Sequence, residues 1–302
     1  MKSVSGAAIS FIMITMVQQK TLFFVGAHPD DETFGIGGTL AQYSAAGVKT
    51  YYICATRGEV GEADPEFMKD YASVGDMRWG ELKCAAKILG LVDVIHLGYR
   101  DSGMPGSPDN KHPQALAAAP VDQVAGRLVK IIRELKPQVV VTHDPIGGYR
   151  HPDHIAIYNA TVKAFAAAGD PSQFPEAGPA FKPQKLYYAL FPRGVLKIVV
   201  KLMPLFGKNP HKFGVNQDID LAGVANVNYP VHAAIRVSHL SAETRDEAVS
   251  CHASQLGGGG GRRRPLVFRI VGLFNGDRDL FMRAYPPVVK KLREKDLFEG
   301  VV

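Results

Sequence analysis

From Thr21 onward, strand-length apolar runs alternate with helix-length amphipathic stretches, and that alternation leaves few folds open to the chain. Residues 21–27, 48–55, 92–97, 138–142 and 185–191 are near-continuous apolar runs, as in strands buried on both faces of a parallel sheet. Stretches near 33–46, 75–89, 121–135 and 154–168 read as the intervening helices. The predicted class is α/β, a Rossmann-like three-layer architecture whose mostly parallel sheet carries helices on both faces. Beyond residue 191 the pattern thins to a helix over 195–206, a short strand over 233–237 and a helix over 241–253, with Ser241 and Thr244 as candidate caps. Five consecutive glycines at 257–261, followed by Arg262, Arg263 and Arg264, read as a flexible loop or lid. Too few residues follow that insertion to build a second core. Residues 21–302 are therefore expected to form one domain behind a disordered leader, residues 1–20.

Charge is uneven along the chain. Residues 1–160 hold 15 Lys/Arg against 17 Asp/Glu, whereas residues 161–302 hold 20 against 12, so the net +6 arises in the second half. The tightest basic cluster, Arg262–264, lacks the interleaved aromatics that stack bases, which argues against a nucleic-acid partner. The apolar stretch over residues 7–17 is too short to span a bilayer as a helix, and no A-x-A-like cleavage site precedes Gln18, so neither stable membrane insertion nor export is indicated. Cys54, Cys84 and Cys251 are odd in number and far apart, without a C-x-x-C pair. That usage suggests no disulfide framework and favours a reducing, cytoplasmic setting. Self-association into a homo-oligomer is compatible with all of this.

Two loops carry the chemistry, and each follows a predicted strand: Ala27-His28-Pro29-Asp30-Asp31-Glu32 after the first, and His151-Pro152-Asp153-His154 after the fourth. Loops at the carboxyl ends of parallel strands converge on one crevice, so these segments can meet across more than a hundred residues. Three consecutive carboxylates in one turn repel one another unless a positive charge sits among them. A metal ion supplies such a charge; capping of the helix that follows is the alternative. Histidines in both loops tip the balance to metal, because a His₂-carboxylate set with open positions is typical of catalytic Zn²⁺ and of non-haem Fe²⁺. His28 and Asp31, three apart in a turn, can aim at one point, which leaves the adjacent Asp30 free to act as a base. Either His151 or His154 would complete the shell, with the other beside it.

At these residues the sequence resembles the LmbE-like family of de-N-acetylases, which includes the phosphatidylinositol glycan-L type enzymes and the deacetylase of mycothiol biosynthesis. Further likeness lies in Arg78-x-x-Glu81, in Tyr99-Arg100-Asp101-Ser102-Gly103-Met104 and in His252-x-x-Gln255. The resemblance implies one zinc ion per chain held by His28, Asp31 and His154, with Fe²⁺ an alternative metal. It further implies Asp30 as general base, His151 as oxyanion donor or general acid, Asp153 tuning His151, Tyr149 lining the oxyanion side, and Arg78 and Asp101 contacting the substrate. The implied reaction is hydrolysis of the N-acetyl amide of an N-acetylglucosamine-type conjugate.

Other readings rest on narrower features. Gly35-Ile36-Gly37-Gly38 has Leu40 where a dinucleotide fingerprint needs its third glycine, and close helix packing is sufficient reason for these glycines. His143-Asp144 after the fourth predicted strand would suit a two-metal phosphoesterase, but a bridging carboxylate and enough further ligands are missing. An amidase of thiol-sugar conjugates would use the same metal site. A non-catalytic sugar-binding module of the same fold would need neither Asp30 nor His151.

Overall fold

In a computed structural model, residues 19–191, 193–212, 220–256 and 277–302 are described. Most of the expected leader and the whole 257–264 insertion lie outside the described residues. The elements, in chain order, are β1 (Thr21–Gly26), α1 (Asp31–Ala45), β2 (Lys49–Cys54), α2 (Val74–Leu89), β3 (Asp93–His96), α3 (Val121–Leu135), β4 (Val139–Thr142), α4 (Gly147–Arg150), α5 (Pro152–Ala167), β5 (Lys185–Leu190), α6 (Arg193–Leu202), α7 (Leu221–Ala225), β6 (Ala233–Arg236), α8 (His239–Cys251) and β7 (Arg278–Tyr285).

The strands form one sheet in the order β3-β2-β1-β4-β5-β7-β6. The first five are mutually parallel, whereas β7 runs antiparallel to both β5 and β6. Alternation along β1 explains the three layers. Phe23 and Val25 pack with Leu128, Ile132, Ile157 and Ala164 of α3 and α5, while Leu22 and Phe24 pack with Ile36 and Leu40 of α1 on the opposite face. Each of these side chains is essentially inaccessible, and burying one fully is worth about 1.5–3 kcal/mol. A strand that must satisfy both faces at once therefore reads as an unbroken apolar run.

The six predicted strands are all present, and β7 is an addition to them. Helix α8 begins earlier than expected: its N-cap is Ser238, whose hydroxyl accepts from the amide of Ser241. The Gly35–Gly38 stretch serves packing. A Cβ on Gly38 would lie 2.7 Å from Val237, and one on Gly35 would touch Phe24.

The expectation drawn from the cysteines is corrected. Cys84 on α2 and Cys251 at the end of α8 form a disulfide, with Cα atoms 5.8 Å apart and a sequence separation of 167. The pairing was hidden because its cause is tertiary. Ala41, Ala85 and Ala248 let α1, α2 and α8 approach closely, and that packing brings the two thiols together. Only Cys54 remains a free thiol, and the cysteine count no longer argues for a reducing compartment. Among the described residues, no helix is long and apolar enough to cross a membrane. Replacing Cys84 by Ser is expected to lower the unfolding free energy by about 2–4 kcal/mol, read from urea midpoints with and without reductant. Equal midpoints for the variant, the reduced and the oxidised protein would mean that the bond contributes nothing in solution.

Candidate active site

The strand order reverses direction between β1 and β4, and in open α/β sheets that is where a crevice lies beyond the carboxyl ends of the strands. His28 follows β1 and His143 follows β4, so the topology alone brings them to one place. Gly26 closes β1 where no side chain fits, since a Cβ there would stand 2.6 Å from the Tyr52 hydroxyl. That hydroxyl donates to the His28 carbonyl at 2.6 Å and fixes the start of the loop.

The carboxylates of the first loop do not cap α1 in the usual sense. Asp30 is the N-cap residue by position, yet its side chain makes no capping bond. Its φ of 127° lies in a region costly for a residue with a Cβ, about 1–3 kcal/mol. Arg78, buried on α2, holds that conformation by donating to the Pro29 carbonyl at 2.8 Å and to Asp30 Oδ2 at 3.0 Å. Asp31 turns the other way, and its Oδ2 accepts from the amides of Ala27 (2.8 Å) and His28 (3.0 Å). Glu32 is wholly buried, accepting from the Asp30 amide at 3.0 Å and pairing with His252 Nε2 at 2.7 Å.

The second loop is shaped by backbone that only glycine adopts easily. Gly147 and Gly148 both have positive φ, and a Cβ on Gly147 would meet that of His154 at 2.8 Å. His151 then caps α5, its Nδ1 accepting the Asp153 amide at 3.1 Å, with Pro152 opening the first turn. His154 follows within that turn and faces back into the crevice.

The two loops meet at His154 Nε2, which is 3.1 Å from His28 Nδ1 and 3.3 Å from Asp31 Oδ1. Ligand atoms about 2.0–2.1 Å from a tetrahedral zinc ion would be roughly 3.3 Å apart, so each of these two spacings suits such an ion. Among the described residues three clusters have donor atoms all within 4.8 Å of one another: His28 with His151 and His154, His28 with Asp101, His151 and Asp153, and Asp31 with His143 and His154; His154 joins the first and third, and none holds both His28 and Asp31. His143 was singled out from the sequence only as part of a separate second site. Instead it joins this one, with Nε2 3.1 Å from Asp31 Oδ2 and its ring stacked on His154 at 3.9 Å. Asp144 Oδ1 accepts from the amides of Ile146 and Gly148. The pair therefore shapes this centre and its loop.

Family comparison agrees with this geometry. The family model described as GlcNAc-PI de-N-acetylase (PIG-L) matches residues 23–165, a span that holds both loops. A 1D-myo-inositol 2-acetamido-2-deoxy-alpha-D-glucopyranoside deacetylase of Geodermatophilus obscurus is 38% identical over 250 residues, covering 80% of this chain and 84% of the relative. The chain belongs to the PIG-L family of de-N-acetylases. Among solved structures, N,N'-diacetylchitobiose deacetylase from Pyrococcus horikoshii shares the fold at 22% identity and a TM-score of 0.60, over 88% of this chain and 84% of that one. So does GalB, the 4-carboxy-2-hydroxymuconate hydratase of Pseudomonas putida KT2440, at 18% and 0.57, over 91% and 100%. The fold alone thus hosts more than one reaction, and the side chains must carry the assignment.

Around the PIG-L centre, two carboxylates orient His28. Its Nε2 is 3.1 Å from Asp153 Oδ2 and 3.5 Å from Asp101 Oδ1, which turns Nδ1 toward His154. The Asp153 carboxylate also accepts from the Ser102 amide and hydroxyl, while its backbone amide donates to His151 Nδ1. The expectation that Asp153 tunes His151 thus meets a carboxylate that stands behind His28. Arg78 and Asp101, expected at the substrate, are both buried and bonded to protein groups of the loops. Tyr149 packs edge-on to His154 at 5.2 Å and against Leu196, Val224 and Ala225.

Electrostatics sort the side chains into roles. Burial pushes the Asp30 carboxyl up to about 6, with Arg78 pulling the other way. Burial would raise Asp31 too, but His154, His143 and His28 hold it well below the usual carboxylate range. Burial keeps His154 well below the ordinary imidazole value and brings His151 down to about 3, so both are neutral near pH 7. Burial likewise opposes charge on His28, but Asp101 and Asp153 outweigh it and raise the group well above the ordinary value. The same pair favours a cation at the other ring nitrogen. Asp153→Ala is expected to weaken Zn²⁺ binding about 10–100-fold, measured by competition against a chromophoric chelator. Affinity equal to that of the unaltered protein would separate Asp153 from the metal centre.

Proposed function

We propose that the chain is a zinc-dependent N-deacetylase that removes the acetyl group from an N-acetylglucosamine-type amino sugar conjugate, with a GlcNAc-inositol as the first candidate substrate. The observation that carries this reading is the approach of His28 Nδ1 and Asp31 Oδ1 to within 3.1 and 3.3 Å of His154 Nε2, in the same turn as a fourth group, Asp30, that is partly buried and held by Arg78. The relative in Geodermatophilus obscurus supports the substrate class. One domain over residues 21–302 is the organisation we favour, because β7 returns to the same sheet after the 257–264 insertion.

A divalent ion held by His28, Asp31 and His154 would supply Lewis acidity to the amide carbonyl and acidify a nearby water. Asp30 takes the proton from that water as its oxygen bonds to the carbonyl carbon. Its steric constraint matters here: Arg78 aims the carboxylate and prevents it from folding back over the amides of α1. His151 donates to the carbonyl oxygen as charge builds on it. Because its Nδ1 already accepts the Asp153 amide, neutral His151 carries its proton on Nε2 and is a donor there. Tyr149 is a second donor, since burial raises its hydroxyl well above the ordinary value and keeps it protonated. The proton held by Asp30 passes to the nitrogen, the carbon–nitrogen bond breaks, and amine and acetate leave. Arg78 and Asp101 act in this account as positioning residues for Asp30 and His28.

The test is release of primary amine from a panel of N-acetylated amino sugars. Asp30→Ala is expected to lower turnover by about 100-fold or more while still binding one Zn²⁺ per chain. Chelation should abolish turnover, and restoration by Zn²⁺ in preference to Fe²⁺ would fix the metal. Equal turnover by Asp30→Ala and the unaltered protein, or turnover that persists after chelation, would overturn the reading.

A further inference from the structure

Helix α6 is apolar on two opposite faces, and the protein covers only one of them. Leu196 and Met203 are buried, and Val200 packs with Leu196 onto Val224 and Ala225 of α7. Ile198, Leu202 and Leu205 each lie two residues further along; the first two sit about 200° around the helix from that inner stripe, and Leu205 is in the 3₁₀ turn that follows. They are 57%, 45% and 77% exposed, and Phe206, next to Leu205, is 77% exposed. An ordinary surface helix would place polar residues there. Isolated exposed apolar residues need no explanation, but four of them within nine residues form a patch.

Along the chain the charges flanking this patch are of one sign up to residue 217; Asp220, which caps α7, pairs with His211. Lys197 and Lys201 precede Ile198 and Leu202 on the flank of the same face, and exposed Lys208 and Lys212 follow the Leu205-Phe206 tip. Residues 177–217 contain seven Lys/Arg and no Asp or Glu. Exposed apolar side chains fringed by lysine stems match the interfacial region of an anionic bilayer, where the rings and aliphatic groups enter among the acyl chains and the ammonium groups stay with the headgroups. A protein partner or a second copy of this chain would have to match that field with an acidic surface. The α6–α7 layer carries Tyr149 on its inner side, so the patch is the outer side of a wall of the active-site crevice.

We propose that α6 and the Met203–Phe206 turn that follows it form a docking surface for an anionic membrane, holding the protein at the headgroup level without spanning the bilayer. This surface is independent of the reaction assigned above.

Vesicle co-sedimentation of the full chain tests the proposal, using phosphatidylcholine alone and phosphatidylcholine mixed with phosphatidylglycerol. The protein is expected to pellet with the anionic vesicles, to do so about tenfold less with neutral ones, and to be released at roughly 0.5 M salt. Leu205→Glu/Phe206→Glu and, separately, Lys201→Glu/Lys208→Glu should each weaken binding about tenfold or more. All four positions are exposed, so circular dichroism and the amine-release rate on a soluble substrate should be unchanged in both variants. Background sedimentation with both vesicle types would overturn the proposal, as would binding that neither variant alters. A dimer dissolved by Leu205→Glu/Phe206→Glu, without vesicle binding by the unaltered protein, would assign the face to a second copy instead.

Discussion

Three adjacent carboxylates in one largely buried turn would drive the loop apart unless each met a different positive or hydrogen-donating partner, and the rest of the site is arranged around that requirement. Asp30 faces Arg78, Asp31 faces the amides of Ala27 and His28 together with His143 and His154, and Glu32 faces His252. The partners come from α2, from the end of β4, from α5 and from the end of α8, so one hexapeptide after β1 draws four distant segments to itself. Repulsion confined to a single turn thus becomes a specification of tertiary structure. The parallel sheet makes it achievable, since it delivers the β1 and β4 loops to the same crevice whatever the intervening sequence does.

Within that arrangement the histidines divide by environment. His154 and His151 lose their charge to burial, which leaves lone pairs available. His28 is gripped from behind by Asp101 and Asp153 and so presents Nδ1 in one orientation. Identical side chains are fitted for different work by what lies on the far side of each ring. The family to which the chain belongs supplies the reaction class, and these second contacts explain why the ring atoms meet at distances suited to a small cation.

Much of this was legible in the sequence because the features that carry it are local. The strands β1 to β6 stood out since residues such as Phe23, Phe24, Val140 and Val141 must be apolar to face two helix layers. The two loops stood out since histidine and aspartate are expensive to bury without partners. What stayed hidden depends on pairing across the chain. Strand β7 includes Arg278, Asp279 and Arg283, with Phe281 alone fully buried, and it reads as a strand only once β5 and β6 flank it. The His143 contribution was half visible, as a histidine after a strand, but its partner Asp31 lies 112 residues away. The Asp153 carboxylate bonds His28, a contact the sequence does not single out because a carboxylate near a helix start can turn toward either of two rings.

The disulfide has a mechanical side that neither loop reveals alone. Cys84 lies on the helix that bears Arg78, and Cys251 immediately precedes His252, so the bond fastens together the two segments that furnish counter-charges to Asp30 and Glu32. Glu81, on the same helix as Cys84, accepts from both the amide and the hydroxyl of Ser254 just beyond, adding a polar clasp beside the covalent one. Helices α2 and α8 are thereby tied to each other on the side that meets the first loop. A displacement that loosened one end of the carboxylate run would loosen the other in step.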